Sequence, residues 1–135
     1  MATPISKIEG IGKGYAEKLK AMGIKTVEQL LEAGATPGGR EKIAKELGVS
    51  PKVVLKWVNK ADLMRIKGVG EEYSDLLEAA GVDSPAELAR RKPENLLKKM
   101  EEINREKKLV RQLPYLKQVE RWVEQAKSLP KVVKH

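Results

Sequence analysis

Ile8-Glu9-Gly10-Ile11-Gly12-Lys13-Gly14-Tyr15, "IEGIGKGY", places three glycines within five positions. The next stretch, "AEKLKAMG", has helical spacing of Ala16 and Leu19. Glycine is a poor helix former, so a cluster of it at a helix start needs a reason. The same frame returns at Ile66 to Tyr73, "IKGVGEEY", where Gly68 and Gly70 are kept and the charge is reversed.

A shift of 58 residues aligns the two halves of the chain. Ile8, Gly10, Ile11, Gly12, Tyr15, Leu19, Ala21, Gly23, Ile24, Thr26 and Leu30 fall on Ile66, Gly68, Val69, Gly70, Tyr73, Leu77, Ala79, Gly81, Val82, Ser84 and Leu88. Farther on, Trp57-Val58 and Trp122-Val123 correspond at a shift of 65, so the second copy carries seven more residues. The mixed-charge stretch "KKMEEINREKK" is where they are expected. The copies are read as residues 1–65 and 66–135.

Each copy reads as helices with short joints. Gly23 and Gly81 stand where a helix end needs positive φ. Thr26 with Gln29, and Ser84 with Glu87, have capping-box spacing, and Pro85 suits the first helical position. Gly34 closes the helix after Thr26. A further helix is expected from Arg40 to Leu47, and a longer one from Ser50-Pro51. Val54, Trp57, Val58, Ala61 and Met64 make one helical stripe, as do Val119, Trp122, Val123, Ala126 and Leu129. No segment alternates as a strand would. The expectation is an all-α chain, two tandem units packed as one compact body and joined without a flexible loop.

The chain has 135 residues, no Cys, no Phe and a formal charge of +8. No disulfide or thiolate metal site can form, and the lack of Cys fits a reducing compartment. No apolar run is long enough to span a bilayer and no signal-peptide pattern opens the chain, so it reads as a cytoplasmic protein, with no membrane contact and a monomeric state expected. The excess of Lys and Arg favours an acidic partner, with nucleic acid first among them. A Lys-rich solvated surface would have the same composition.

The glycines suggest a use for that charge. A helix begins with N–H groups that lack an intrahelical partner, and its dipole favours an anion there. A glycine turn in front of it lets a phosphate approach without meeting Cβ atoms. Gly10, Ile11, Gly12, Lys13, Gly14 and Lys18 are the expected contacts, with Ile8 and Ile11 also pinning the turn to the core. The alternative is a tight corner between helices that serves packing alone.

The apolar-x-Gly-apolar-Gly pattern before a helix resembles the helix-hairpin-helix motif. The resemblance implies sequence-independent binding of double-stranded DNA through hairpin amides to phosphates; a monovalent cation on the hairpin carbonyls is also suggested by it, though no residue pattern here points to one. The stretch from "IEGIGKGYAEKLKAMGIKTVEQLLEAG" to "LGVSPKVVLKWVNKADL" resembles the N-terminal helical domain of archaeal RecA-like recombinases. "LLEAGATPGGR", "KWVNKADLMRIKGVGEEYSDLLEAAGVDS" and "LVRQLPYLKQVERWVEQAKSLPKVV" resemble the domain-of-unknown-function family 4332 over nearly the whole chain. That likeness implies two tandem helix-hairpin-helix (SAM-like) units.

The copies differ in charge. From Ile8 to Leu31 four Lys stand against three Glu, a net of +1; from Ile66 to Ala89, Lys67 stands against Glu71, Glu72, Asp75, Glu78, Asp83 and Glu87, a net of −5. Carboxylates at a helix start fill the electrostatic role of a phosphate. Gly68, Val69 and Gly70 are therefore secondary contacts, a self-capped structural turn is the plainer reading, and a basic protein partner at this acidic turn is an alternative. Arg90, Arg91 and Lys92, purely basic and just before Pro93, are the other secondary phosphate contacts. Trp57, Trp122, Tyr15 and Tyr73 read as core, and Tyr115 stays open between stacking and packing.

Catalysis has no evident carrier. The one His is His135, the last residue, and no carboxylate pair, metal cluster or Gly-Lys-Ser/Thr phosphate loop is present. No cofactor is expected. Two readings remain: a non-catalytic, sequence-independent DNA-binding module, or a helical adaptor between proteins that has lost the DNA contact.

Overall fold

The computed structural model describes residues 3–135. Among them are eight α-helices and no strand: α1 Lys13–Ala21, α2 Val27–Ala33, α3 Pro37–Leu47, α4 Pro51–Leu63, α5 Glu71–Ala79, α6 Pro85–Ala89, α7 Pro93–Lys107 and α8 Leu116–Ser128. A single 3-10 turn, Ile5–Lys7, precedes them. The chain divides into two compact units. One runs to Asp62 and takes in Lys131–His135; the other is Leu63–Pro130.

Local chemistry accounts for the starts of α2, α3, α6 and α7. The Thr26, Thr36 and Ser84 hydroxyls accept the N–H groups of Gln29, Gly39 and Glu87 at 3.1 Å each, the N-cap bond that such residues supply. Gln29 also returns its side chain to the Lys25 N–H at 2.7 Å. Pro37, Pro85 and Pro93 take the first turn, where no N–H is needed.

Two boundaries differ from expectation. α4 ends at Leu63, so Met64, expected on its stripe, lies in the turn beyond and is only half-buried, while Leu63 is fully buried. α3 begins at Pro37, three residues before the expected Arg40. The Gly38-Gly39 pair hides this start, because glycine disfavours a helix interior. Gly39 is there for space: a Cβ on it would run into the Ala33 carbonyl.

In the first unit, Ile5, Ile8, Ile11, Leu19, Ile24, Leu30, Ile43, Leu47, Val54, Trp57 and Val58 are buried. α1 packs on α3, and the 3-10 turn packs on α1 and α2. The N-terminal segment pairs with the residues ahead of α2: the Ile5 N–H meets the Lys25 carbonyl at 3.3 Å and the Val27 N–H meets the Thr3 carbonyl at 2.7 Å. The chain end closes the same unit. Val133 is buried, and the Lys134 N–H donates to the Ala35 carbonyl at 2.7 Å. Arg40 is only 5% exposed. Its guanidinium donates to the Gly34 and Lys134 carbonyls at 2.8 and 2.7 Å, so this buried cation has acceptors in place of water.

In the second unit, α8 packs on α6 and α7, and α5 on α7. Ile66, Val69, Leu76, Leu77, Val82, Leu88, Leu96, Met100, Val119, Trp122 and Val123 form the core. The seven extra residues of this copy sit only partly in the mixed-charge stretch where they are expected. α6 has 5 residues where α2 has 7. α7 has 15 where α3 has 11. The connection 108–115 replaces the short 48–50 joint. The excess is thus shared between a longer α7 and a longer connection.

Candidate functional site

The two glycine turns repeat one another in their backbone hydrogen bonds; in the second, the Gln125 side chain also brackets Lys67, accepting its N–H at 3.0 Å and donating to its carbonyl at 3.3 Å. The Ile11 N–H reaches the Ile8 carbonyl at 3.1 Å, and the Val69 N–H the Ile66 carbonyl at 3.0 Å. Ala16 closes on Gly12, and Ser74 on Gly70, both at 2.9 Å. Gly10 and Gly68 share a φ of 96°, a conformation open to glycine and costly for residues with a Cβ. Each also backs onto a tryptophan. A Cβ on Gly10 would lie 2.9 Å from Trp57 Nε1, and one on Gly68 2.9 Å from Trp122 Nε1. Tyr15 meets Trp57 at a ring-centroid distance of 5.5 Å, and Tyr73 meets Trp122 at 5.2 Å, both tilted by 52°. The expectation that both tryptophans are core is met: they are 3% and 2% exposed.

The other glycines of the first turn have no such duty. Gly12 has a φ of −79°, Gly14 is not among the positive-φ residues, and a Cβ on either would meet nothing within 4 Å. Both are exposed. Gly10, Gly12 and Gly14 line a concave surface of about 400 Å³ together with Tyr15 and Lys18. Lys13 is exposed beside it, and Ile11 is buried, its side chain spent on anchoring the turn. Tyr15 was expected in the core; it is half-buried and also forms part of this wall. Its place directly after Gly14 is the sequence signal for that second role. Gly12, the N-cap of α1, has no side chain with which to cap it. The first N–H groups of α1 thus start a positive dipole end beside the concavity.

The second turn has the same backbone and different neighbours. Gly70 is the N-cap of α5, and Glu71 and Glu72 occupy its first turn. Glu72 stands where the first copy has Gly14, so this backbone accommodates a side chain there. The 108–115 connection reaches the aromatic pair: the Tyr73 hydroxyl donates to the Gln112 carbonyl at 3.0 Å. Burial, more than the nearby Glu72 and Tyr115, raises the Tyr73 hydroxyl above its ordinary pKa. Gly68 and Gly70 are exposed and Val69 is buried.

The basic joint is less uniform than its sequence. Arg91 is engaged inside the unit. It donates to Glu87 Oε1 at 3.1 Å and to the Gly81 carbonyl at 3.2 Å, tying the end of α6 to the turn after α5. Arg90 is 3.9 Å from Glu87, with its side chain 78% exposed. Lys92 is exposed as the N-cap of α7. No group of three or more His, Cys, Asp or Glu suited to a metal ion occurs among the described residues. None of their helices is long and apolar enough to cross a membrane.

A family model described as a domain of unknown function, DUF4332, matches residues 9–129. The chain belongs to the DUF4332 family. The matched stretch takes in both glycine turns of the DUF4332 chain and both tryptophans that back them. No curated protein and no solved structure gives a significant match.

Proposed function

We propose that this DUF4332 chain is a non-catalytic module of two helix-hairpin-helix units that binds double-stranded DNA without sequence preference. The first glycine turn is the main contact. Its amides and the start of α1 hold a backbone phosphate, and Lys13 and Lys18 add charge.

The observation that carries this reading is the division of labour among the glycines. Gly10 is required by its φ of 96° and by Trp57. Gly12 and Gly14 are required by neither φ nor packing, yet both line the concavity. Gly14 lies within the first turn of α1, where glycine costs roughly 0.5–1 kcal/mol relative to alanine. A cost with no return inside the fold is accounted for by what approaches from outside. The formal charge of +8 supports an anionic partner.

The adaptor reading draws on the second turn. Glu71 and Glu72 start α5 with two carboxylates, which favour a basic protein surface over phosphate.

The test is the affinity for a labelled duplex of arbitrary sequence across a salt series. Binding is expected to weaken steeply as salt rises. Gly12→Leu is expected to abolish it while the helical CD signal persists, because an extended backbone accepts leucine but the concavity does not. Wild-type affinity in a folded Gly12→Leu variant would remove the turn from the interface.

A further inference from the structure

The chain has only three Tyr and two Trp, and four of these five rings are committed to the two Tyr–Trp pairs. The fifth, Tyr115, is 66% exposed. Exposed as it is, the residue is held at both ends by polar contacts. Its hydroxyl accepts from Gln112 Nε2 at 3.1 Å, and its N–H donates to Gln118 Oε1 at 2.7 Å. Gln112 is itself anchored, since its carbonyl accepts from the half-buried Tyr73. An aromatic ring fixed in solvent forfeits the burial that would stabilise it, and keeps a pre-organised stacking surface.

The charge around it selects an occupant. Lys107, Lys108 and Arg111 lie on the connection and the helix end before Tyr115, and Lys117 and Arg121 follow one turn apart on α8. All five are exposed, and none is held in an ion pair among the described residues. From Lys107 to Arg121 the only carboxylate is Glu120, a net of +4. Leu116, 38% exposed, extends the apolar surface beside the ring. Glu106 beside Lys107 and Glu124 one turn from Arg121 on α8 border this stretch, and Glu72, near Tyr73, reduces the pull on a phosphate directly over the second turn. Stacking does not depend on that charge.

We propose that Tyr115, with Arg111, Lys117 and Arg121, forms a stacking platform for an unpaired base of single-stranded nucleic acid. An aromatic face takes any base, and the flanking cations follow the backbone. A base within a duplex has both faces covered by its neighbours, so the platform selects unpaired strands or strand ends. The connection that carries Tyr115 is the part of copy two with no long counterpart in copy one. The platform is separate from the phosphate contact proposed at the first turn and does not rest on it.

The test compares labelled oligo(dT), oligo(rU) and a duplex against the full chain and its variants. Tyr115→Ala is expected to weaken single-strand binding at least about fivefold and to leave duplex binding unchanged. Tyr115→Phe, which keeps the ring and loses the hydroxyl bond that helps hold it, is expected to bind single strands better than Tyr115→Ala and no tighter than wild type. Combined Arg111→Gln and Lys117→Gln are expected to flatten the salt dependence for the single strands. The proposal is overturned if wild type binds neither single strand, if Tyr115→Ala binds them as wild type does, or if Tyr115→Ala loses duplex binding equally. Gly12→Leu separates the two sites: loss of duplex binding with single-strand binding retained supports the platform. Failure of duplex binding in wild type, with Tyr115-dependent single-strand binding intact, overturns the first-turn reading alone.

Discussion

Gly10 stands against the indole of Trp57, with only 2.9 Å between Nε1 and the Cβ that any other residue would place there. A tryptophan 47 positions away in sequence thus sets the identity of a turn residue. The second copy builds the same relationship from Gly68 and Trp122.

Gly10→Ala and Gly68→Ala are accordingly expected to destabilise, each by about 1–3 kcal/mol. The positive φ and the contact with the indole act together. Gly12→Ala, with neither constraint, is expected to move the melting temperature little. Thermal melts of the three variants make the comparison, and equal melting temperatures would contradict it.

Gly14→Ala is expected to separate stability from binding. Alanine in the first turn of α1 favours the helix, by up to about 1 kcal/mol, and meets no neighbour within 4 Å. The variant should melt no lower than wild type. Its duplex affinity should fall, because a methyl group then projects into the concavity. Undiminished affinity would show that the small size of Gly14 serves no ligand.

The chain end is expected to matter out of proportion to its length. Deleting residues 131–135 removes buried Val133 and takes the Lys134 carbonyl from Arg40. Loss of one buried aliphatic side chain and one bond from a buried cation costs about 3–5 kcal/mol together. Hydrogen exchange at the amides of α3 is the readout; protection there should drop. Arg40→Ala should reproduce part of the loss, and full protection in the truncated chain would contradict the role given to the tail.

Glu28 carries a pH dependence whose sign follows from its contacts. Its carboxylate accepts the Thr3 N–H at 3.0 Å, and this bond, above other influences, holds its pKa below the ordinary value of 4.5. The ionised form is therefore favoured by folding. That contribution is present in full above the unfolded-state value and is lost as pH falls through the lower folded-state value. Glu28→Gln should flatten the acid limb of the melting temperature between roughly pH 5 and pH 3. The measurement is a series of melts across that range for both proteins; parallel limbs would show that the Thr3 contact is not formed in solution.

The sequence alone determined the parts of this protein that are local or periodic. The caps at Thr26 and Ser84, the glycine ends at Gly23 and Gly81 and the stripe of Val54, Trp57, Val58 and Ala61 all follow from interactions within a turn or two of helix, which is why the all-α class and the internal repeat were legible. The two turns could be found in the same way, since their backbone hydrogen bonds span three or four residues. The separate duties of Gly10, Gly12 and Gly14 could not. Whether a glycine is needed depends on what packs against its missing Cβ, and Trp57 reaches Gly10 only through the fold. Tertiary structure likewise decided the fate of the charged residues. Arg40 was expected to open a helix and is buried against two carbonyls, while Arg91, one of three like charges in "RRK", is tied to Glu87 and Gly81. A cation's partners come from whatever the chain brings within about 3 Å of it, and for Arg40 one of them lies 94 residues away.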